Sequence, residues 1–281
     1  MKAKKKLGKA KIARGFLPSL LRLLRGKPHL PPSLADNPLL LALVRRRSVR
    51  AFTSREIPDD IWSAILEVGR LAPSTVNLQS WSFVLFTGAT WQERFGRPIP
   101  FRAPRGLILL GDTHRNRQVL EAFPVAPMVE YTIAVMNASL AAMAMNIAAE
   151  ALGVSSVMLS ETGQGGLLDA GFLKRQLILP PSVYPLMTIL FGYSAAPSPP
   201  MPPKLPLEAI AFPGIYRETE RAVMEDWLAQ MKAGYKASHL FRTSFEDQLA
   251  VYRSKISQAE HDLEEMVFGE KAASRLQEPG E

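Results

Sequence analysis

Three stretches of the chain carry side chains that could do chemistry together. Arg46-Arg47-Ser48-Val49-Arg50 places guanidiniums and a hydroxyl where a helix gives way to an extended segment. Such a set suits a phosphate, with bidentate charge-assisted bonds from arginine and a neutral donor from serine. It serves equally as a solvated face. Pro73, Ser74, Asn77 and Gln79 lie in a polar loop between a helix and the strand that begins near Trp81. Their donors and acceptors suit the edge of a heteroaromatic ring or a polyol, or an ordinary turn bonded to its own backbone. Ser160-Glu161-Thr162-Gly163 opens a Gly-rich loop whose N–H groups could approach a ligand. That loop lacks the spacing of a dinucleotide fingerprint or a phosphate loop.

The composition narrows the chemistry further. With 0 cysteines there is no disulfide, thiolate metal site or cysteine nucleophile, which fits a reducing cytoplasm. The 4 histidines (His29, His114, His239 and His261) show no ligand spacing, so no metal site is expected. The net charge of +8 is concentrated in residues 1–27, which hold ten cations and no carboxylate. The remainder carries 24 basic and 26 acidic residues and is close to neutral. The basic arm could contact a membrane surface or a nucleic acid weakly, or simply be solvated. Phe16, Leu17, Leu20, Leu21 and Leu24 share a helical face beside arginines, as in a short interfacial helix. The segment makes a poor secretory signal, because no small-residue cleavage site follows an apolar core. No uninterrupted apolar run reaches about 18 residues, so no transmembrane helix is expected.

The elements that must position these groups can be read in order. A Pro-rich hinge, Pro28 to Pro38, separates the arm from the body. A helix begins over Leu39 to Val44. Pro58-Asp59-Asp60 starts another, with carboxylates at the positive end of its dipole, and Pro73 closes it. Ser80 to Thr87, Gly106 to Gly111, Val154 to Leu159 and Pro185 to Tyr193 read as strands. An Ala-rich helix is expected from Met128 to Leu152, with Gly153 as its cap. Beyond Ile215 the chain reads as helical. Ser244 and Asp247 form a capping box there. Phe245, Leu249, Tyr252, Ile256, Ala259, Leu263 and Met266 form a seam for packing on the chain's own domain, on a second copy or on a partner.

In this order and spacing, the clusters resemble the FMN-dependent nitroreductase family. The resemblance rests on Arg46-Arg47-Ser48-Val49-Arg50-Ala51-Phe52, Pro58-Asp59-Asp60 and Ala72-Pro73-Ser74-x-x-Asn77-x-Gln79-x-Trp81. It continues through Asn137 to Ala142, Leu152-Gly153, Leu177-x-Leu179-Pro180 and Phe191-Gly192-Tyr193, and covers about residues 40–212. Ser80 stands where the family commonly has proline.

The resemblance implies an α+β fold, nitroreductase-like, with a central mixed or antiparallel sheet flanked by helices, working as a homodimer. The expected divisions are a basic arm and hinge over 1–38, an FMN-binding domain over 39–212 and a helical C-terminal extension over 213–281. Arg46, Arg47 and Ser48 would hold the FMN phosphate together with Lys204, and Arg50 would reach the ring where positive charge favours its reduced form. Pro73, Ser74, Asn77 and Gln79 would contact the flavin, with Ser74 contributed by the other subunit. Backbone near Ser160 and Glu161 would face the hydride-bearing nitrogen. The implied function is an oxidoreductase passing hydride from NADH or NADPH to a small acceptor, nitroaromatic or quinone, by a ping-pong route. A specialised reaction of the same family (dehalogenation, enone reduction or heterocycle oxidation) is a second reading. A non-catalytic scaffold recruited by its arm and C-terminal helices is a third. Localisation is expected to be cytoplasmic, or peripheral at a membrane surface.

Overall fold

A computed structural model describes residues 16–25, 30–120, 126–160, 166–238 and 244–275. The chain divides into two compact units, one of Met1–His29 and Pro200–Val251 and the other of Leu30–Pro199 and Tyr252–Glu281.

The second unit is built on four strands: β1 (Trp81–Thr87), β2 (Arg105–Asp112), β3 (Ser155–Leu159) and β4 (Val183–Gly192). They form one sheet in the order β1-β2-β4-β3, and every pairing is antiparallel. The sheet is therefore not mixed. A parallel contact occurs at an isolated bridge, Ser48 with Ser156, outside the named strands. β2 reads as continuous apolar sequence because both of its faces are covered. Leu107 and Leu109 join one buried cluster, and Ile108 and Leu110 join the other. Pro185 sits in a central strand, at the register shift opposite Leu109 and Leu110, where a proline costs the ladder least.

The first face is covered by α3 (Asp59–Arg70) and α6 (Pro127–Ala151), which pack on each other. Ala134, Ala138, Ala141, Ala142 and Ala149 of α6 are buried, and these small side chains let the helix lie close to the sheet and to α3. Gly153 follows α6 with φ of +73°, the left-handed cap expected of it. By length and composition alone α6 could cross a bilayer. A search for unbroken apolar runs misses it because Glu130, Asn137, Asn146 and Glu150 interrupt the sequence. The second face is covered by Trp91 and Phe95 of α4 (Gly88–Phe95) and by Phe172 and Leu173 of α7 (Ala170–Gln176). α2 (Pro38–Arg45) and α5 (His114–Arg117) also belong to this unit.

The unit of Met1–His29 and Pro200–Val251 contains α1 (Phe16–Arg25) lying along α8 (Arg221–Ser238). α9 (Phe245–Arg275) begins in this unit, and its residues from Tyr252 onward count with the other. Its start is a capping box: the Asp247 N–H donates to Ser244 Oγ at 3.0 Å, and the Ser244 N–H to Asp247 Oδ2 at 2.8 Å. Ser244 holds the Asp247 carboxyl below its ordinary pKa. The far part of the seam packs on the sheet unit. Ala259, Met266 and Val267 are buried, and Asp262 Oδ2 accepts from the Gly171 N–H at 3.1 Å.

Candidate active site

The cationic block grows out of the end of α2. Asn37 caps its start by accepting from the Leu40 N–H at 3.0 Å. At its other end the Arg47 guanidinium donates to the carbonyls of Val44 and Arg46, both at 2.8 Å. These carbonyls carry the negative end of the helix dipole, so Arg47 is held where a cation is stabilised. The chain then runs extended along β3, the edge strand. Ser48 bridges Ser156, and the Val49 N–H donates to the Ser156 carbonyl at 3.0 Å. Val49 and Phe52 are buried, while Arg50 points to solvent. Phe52 bridges Ser194, and the Thr53 N–H donates to the Tyr193 carbonyl at 2.8 Å. Arg50 and Ala51 are exposed between the buried Val49 and Phe52, while Arg46 and Arg47 are half-buried, so the segment is anchored by two apolar side chains without strict strand alternation.

Two polar groups of α6 face this block. Asn146 Nδ2 donates to Ser156 Oγ at 3.0 Å, and its buried Oδ1 has no partner among the described residues. Burial pushes the Glu150 carboxyl above its ordinary pKa, and the charges of Arg46 and Arg47 pull it back. Two arginines, a hydroxyl and an exposed third arginine form a donor set that fits a phosphate.

The polar turn sits at the other edge of the sheet, just before β1. Val76, Asn77 and Gln79 all have positive φ, at 48°, 56° and 47°. Three such residues in one non-glycine turn carry strain, and surrounding bonds must hold it. Asn137 of α6 supplies the first. Its Oδ1 accepts from the Thr75 N–H at 2.9 Å and from the Thr75 hydroxyl at 3.2 Å, and its Nδ2 donates to Ser80 Oγ at 3.2 Å. α5 supplies more. Asn116 Nδ2 donates to the Leu78 carbonyl at 2.9 Å, and Arg115 Nη2 to the Trp81 carbonyl at 2.5 Å. Arg115 is anchored in turn by the buried Asp112, whose Oδ2 lies 3.1 Å from its Nε. Next along α5, Arg117 pairs with the fully buried Glu130 of α6, which also accepts from the Thr113 hydroxyl. Inside the turn the Gln79 N–H donates to Ser74 Oγ at 3.0 Å. Pro73, Asn77 and Gln79 remain exposed, and Val76 is 89% exposed.

The structure therefore brings the expected residues into two groups. Arg46, Arg47, Ser48 and Arg50 line one edge of the sheet, and Pro73, Ser74, Asn77 and Gln79 form the turn at the other. Three strand spacings separate the edges, about 14 Å. Ser160 follows β3 and is exposed, with its carbonyl accepting from the Leu168 N–H at 3.2 Å. Glu161 lies outside the described residues. Lys204 is exposed in the unit of Met1–His29 and Pro200–Val251, next to Pro203, whose carbonyl accepts from Trp227 Nε1 at 3.3 Å. Asn137, Arg115, Asn116 and Asn146 are structural parts of the site not singled out in sequence. Asn137 and Asn146 did carry a signal, as amides inside an otherwise apolar, Ala-rich helix.

The structure is an α+β protein in which a cationic segment is stitched to one edge of a two-sided antiparallel sheet and a braced polar turn stands at the other. The Nitroreductase family model matches residues 43–193, more than half of the chain, and the chain belongs to that family. As a member of that family the chain is an oxidoreductase. A protein of Methanothermobacter thermautotrophicus assigned as an NADH dehydrogenase/NAD(P)H nitroreductase is 26% identical over 172 residues, covering 59% of this chain and 83% of that protein. Among solved structures, NfrA1 of B. megaterium superposes with a TM-score of 0.67 at 18% identity, covering 82% of this chain and 99% of that one. The NADPH:FMN oxidoreductase of Vibrio harveyi, solved with NAD+, gives 0.62 at 22% identity, covering 78% and 98%. At such identities the structural matches establish the fold.

Proposed function

We propose that the chain is a homodimeric FMN oxidoreductase that takes hydride from NADH or NADPH and passes it to a small organic acceptor, nitroaromatic or quinone, by a ping-pong route. The observation that carries the reading is the pairing of a cationic extended segment with a strained, outward-facing polar turn on one α6 scaffold. FMN, when bound, supplies the hydride chemistry. Arg46, Arg47 and Ser48 supply charge and hydrogen bonds for its phosphate, and Arg50 a cation at the exposed end of the block. In this reading backbone near Ser160 borders the reacting edge. Pro73, Ser74, Asn77 and Gln79 supply the polar rim. The clefts for donor and acceptor are then one cleft used in turn.

The homodimer is supported by α6. Val129, Met136, Leu140 and Met143 lie on one helical stripe, 54%, 57%, 47% and 43% exposed. An apolar stripe of this length marks an interface. Pairing across it supports a site completed by two chains, with the turn of one protomer set against the cationic block of the other.

The test is the visible spectrum of the purified protein with each pyridine nucleotide. A yellow protein that bleaches on adding NADH or NADPH is expected. The double substitution Arg46→Ala with Arg50→Ala is expected to weaken FMN retention by about tenfold or more, since each lost charged hydrogen bond costs about 1.5–3 kcal/mol. Unchanged FMN affinity in that variant would remove the phosphate assignment.

A further inference from the structure

The segment that ends β2 and forms α5 grips the polar turn by its carbonyls. Asn116 Nδ2 donates to the Leu78 carbonyl at 2.9 Å. Arg115 Nη2 donates to the Gln79 carbonyl at 3.4 Å and to the Trp81 carbonyl at 2.5 Å. The Asp112 N–H donates to the Ser80 carbonyl at 3.0 Å. Every carbonyl from Leu78 to Trp81 thus accepts a hydrogen bond from within residues 112–116. Gln79 stands inside this run with φ of 47°, a left-handed conformation that an L side chain resists. Because peptide units are planar, its φ and ψ are fixed once the planes on either side of it are fixed. α5 holds both planes, the first through Asn116 at the Leu78 carbonyl and the second through Arg115 at the Gln79 carbonyl. The Gln79 side chain passes this orientation on, since its Nε2 donates to Asn77 Oδ1 at 3.4 Å.

Arg115 is itself tethered. Its Nε lies 3.1 Å from Oδ2 of the buried Asp112, and the same oxygen accepts from the Ser82 hydroxyl of β1. One guanidinium therefore spans a carboxylate and two carbonyls that lie two residues apart, a reach that suits its planar fork and not a single ammonium.

We infer that Arg115 is a positioning residue of the flavin site, which fixes the backbone at Gln79 and thereby the direction of the polar rim. The inference rests on the proposed reading, in which Gln79 and Asn77 meet the ring of FMN. In that reading the phosphate is held elsewhere, by Arg46, Arg47 and Ser48. Loosening the turn should then cost ring contacts and spare the phosphate contacts, whereas general damage to the fold would cost both.

The experiment titrates the full-length apoprotein with FMN and then displaces the FMN with inorganic phosphate. Arg115→Met is expected to weaken FMN binding about tenfold, because a smaller share of molecules holds the turn as the ring requires it. The inhibition constant of inorganic phosphate is expected to stay within about twofold of wild type, since other side chains bind it. Arg115→Lys keeps the charge beside Asp112 and loses the fork. It is expected to show the same selective loss, at about threefold or more, and it carries the test if Arg115→Met lacks the wild-type circular dichroism spectrum. Unchanged FMN affinity in either folded variant would overturn the inference. So would a parallel loss of FMN and phosphate affinity, which marks a merely structural residue. Wild-type protein that takes up no FMN, or from which phosphate displaces none, would instead sink the proposed function and this inference with it, before any variant is compared.

Discussion

At the scale of single residues, Asn137 matters most to the geometry of the polar turn. It is 1% exposed and satisfies three groups, two on Thr75 and one on Ser80. The Ser80 hydroxyl it holds ties the end of the turn to α6 through a side-chain bond. Asn137→Leu leaves the Thr75 N–H and two hydroxyls without that partner, at about 1–3 kcal/mol for the buried Ser80 hydroxyl and less for the exposed Thr75 groups. FMN binding is expected to weaken by about tenfold or more, as a smaller ordered fraction of the turn would meet the ring. Asn137→Asp is expected to restore most of it, because all three neighbours can donate to a carboxylate. Titration of FMN against the apoprotein, with its thermal midpoint measured in parallel, checks both variants. Equal FMN affinity in wild type and Asn137→Leu would refute the role. At this scale the sequence was only half legible. Arg46 to Arg50 announced themselves by type. Asn137 stood out as an amide in an Ala-rich helix, but its bonds to the distant Thr75 and Ser80 left no local trace.

At the scale of elements, close approach between α6 and the sheet is set by small residues on both sides. A Cβ added at Gly111 of β2 would stand 3.0 Å from the Ala134 Cβ and 3.3 Å from Leu186 Cδ1. Neither the alanine nor the backbone behind it can yield cheaply. Gly111→Ala is therefore expected to lower stability by about 1–3 kcal/mol, the ordinary cost of overpacking, read as a drop in the urea midpoint with an unchanged slope. The long elements were legible for the same reason that they are stable. β2 shows an unbroken apolar run, and α6 shows an Ala-rich helix ended by a glycine. α4 and α7 were not anticipated. They are short, their own propensity is slight, and they exist because Trp91, Phe95, Phe172 and Leu173 cover a face of the sheet.

At the scale of the whole molecule, the exposed stripe of α6 separates the chain as described from the enzyme proposed. Replacing Met136 and Leu140 together by Glu puts charge into any interface formed there. Sedimentation velocity is expected to show a dimer for the wild type and a monomer for this variant, with loss of bound flavin following loss of the dimer. A dimer that survives both charges would move the interface elsewhere. The compact units combine Met1–His29 with Pro200–Val251 and Leu30–Pro199 with Tyr252–Glu281. Such pairings depend on contacts between distant segments, which no local pattern records.

α6 also constrains how this protein can vary. Asn137 and Asn146 are nine residues apart on one continuous helix, which fixes their spacing at about 13 Å and their mutual rotation as well. Inserting or deleting a single residue between them would turn one amide by about 100° away from its partner while leaving composition almost untouched. This stretch of helix behaves as a ruler, intolerant of any change in length.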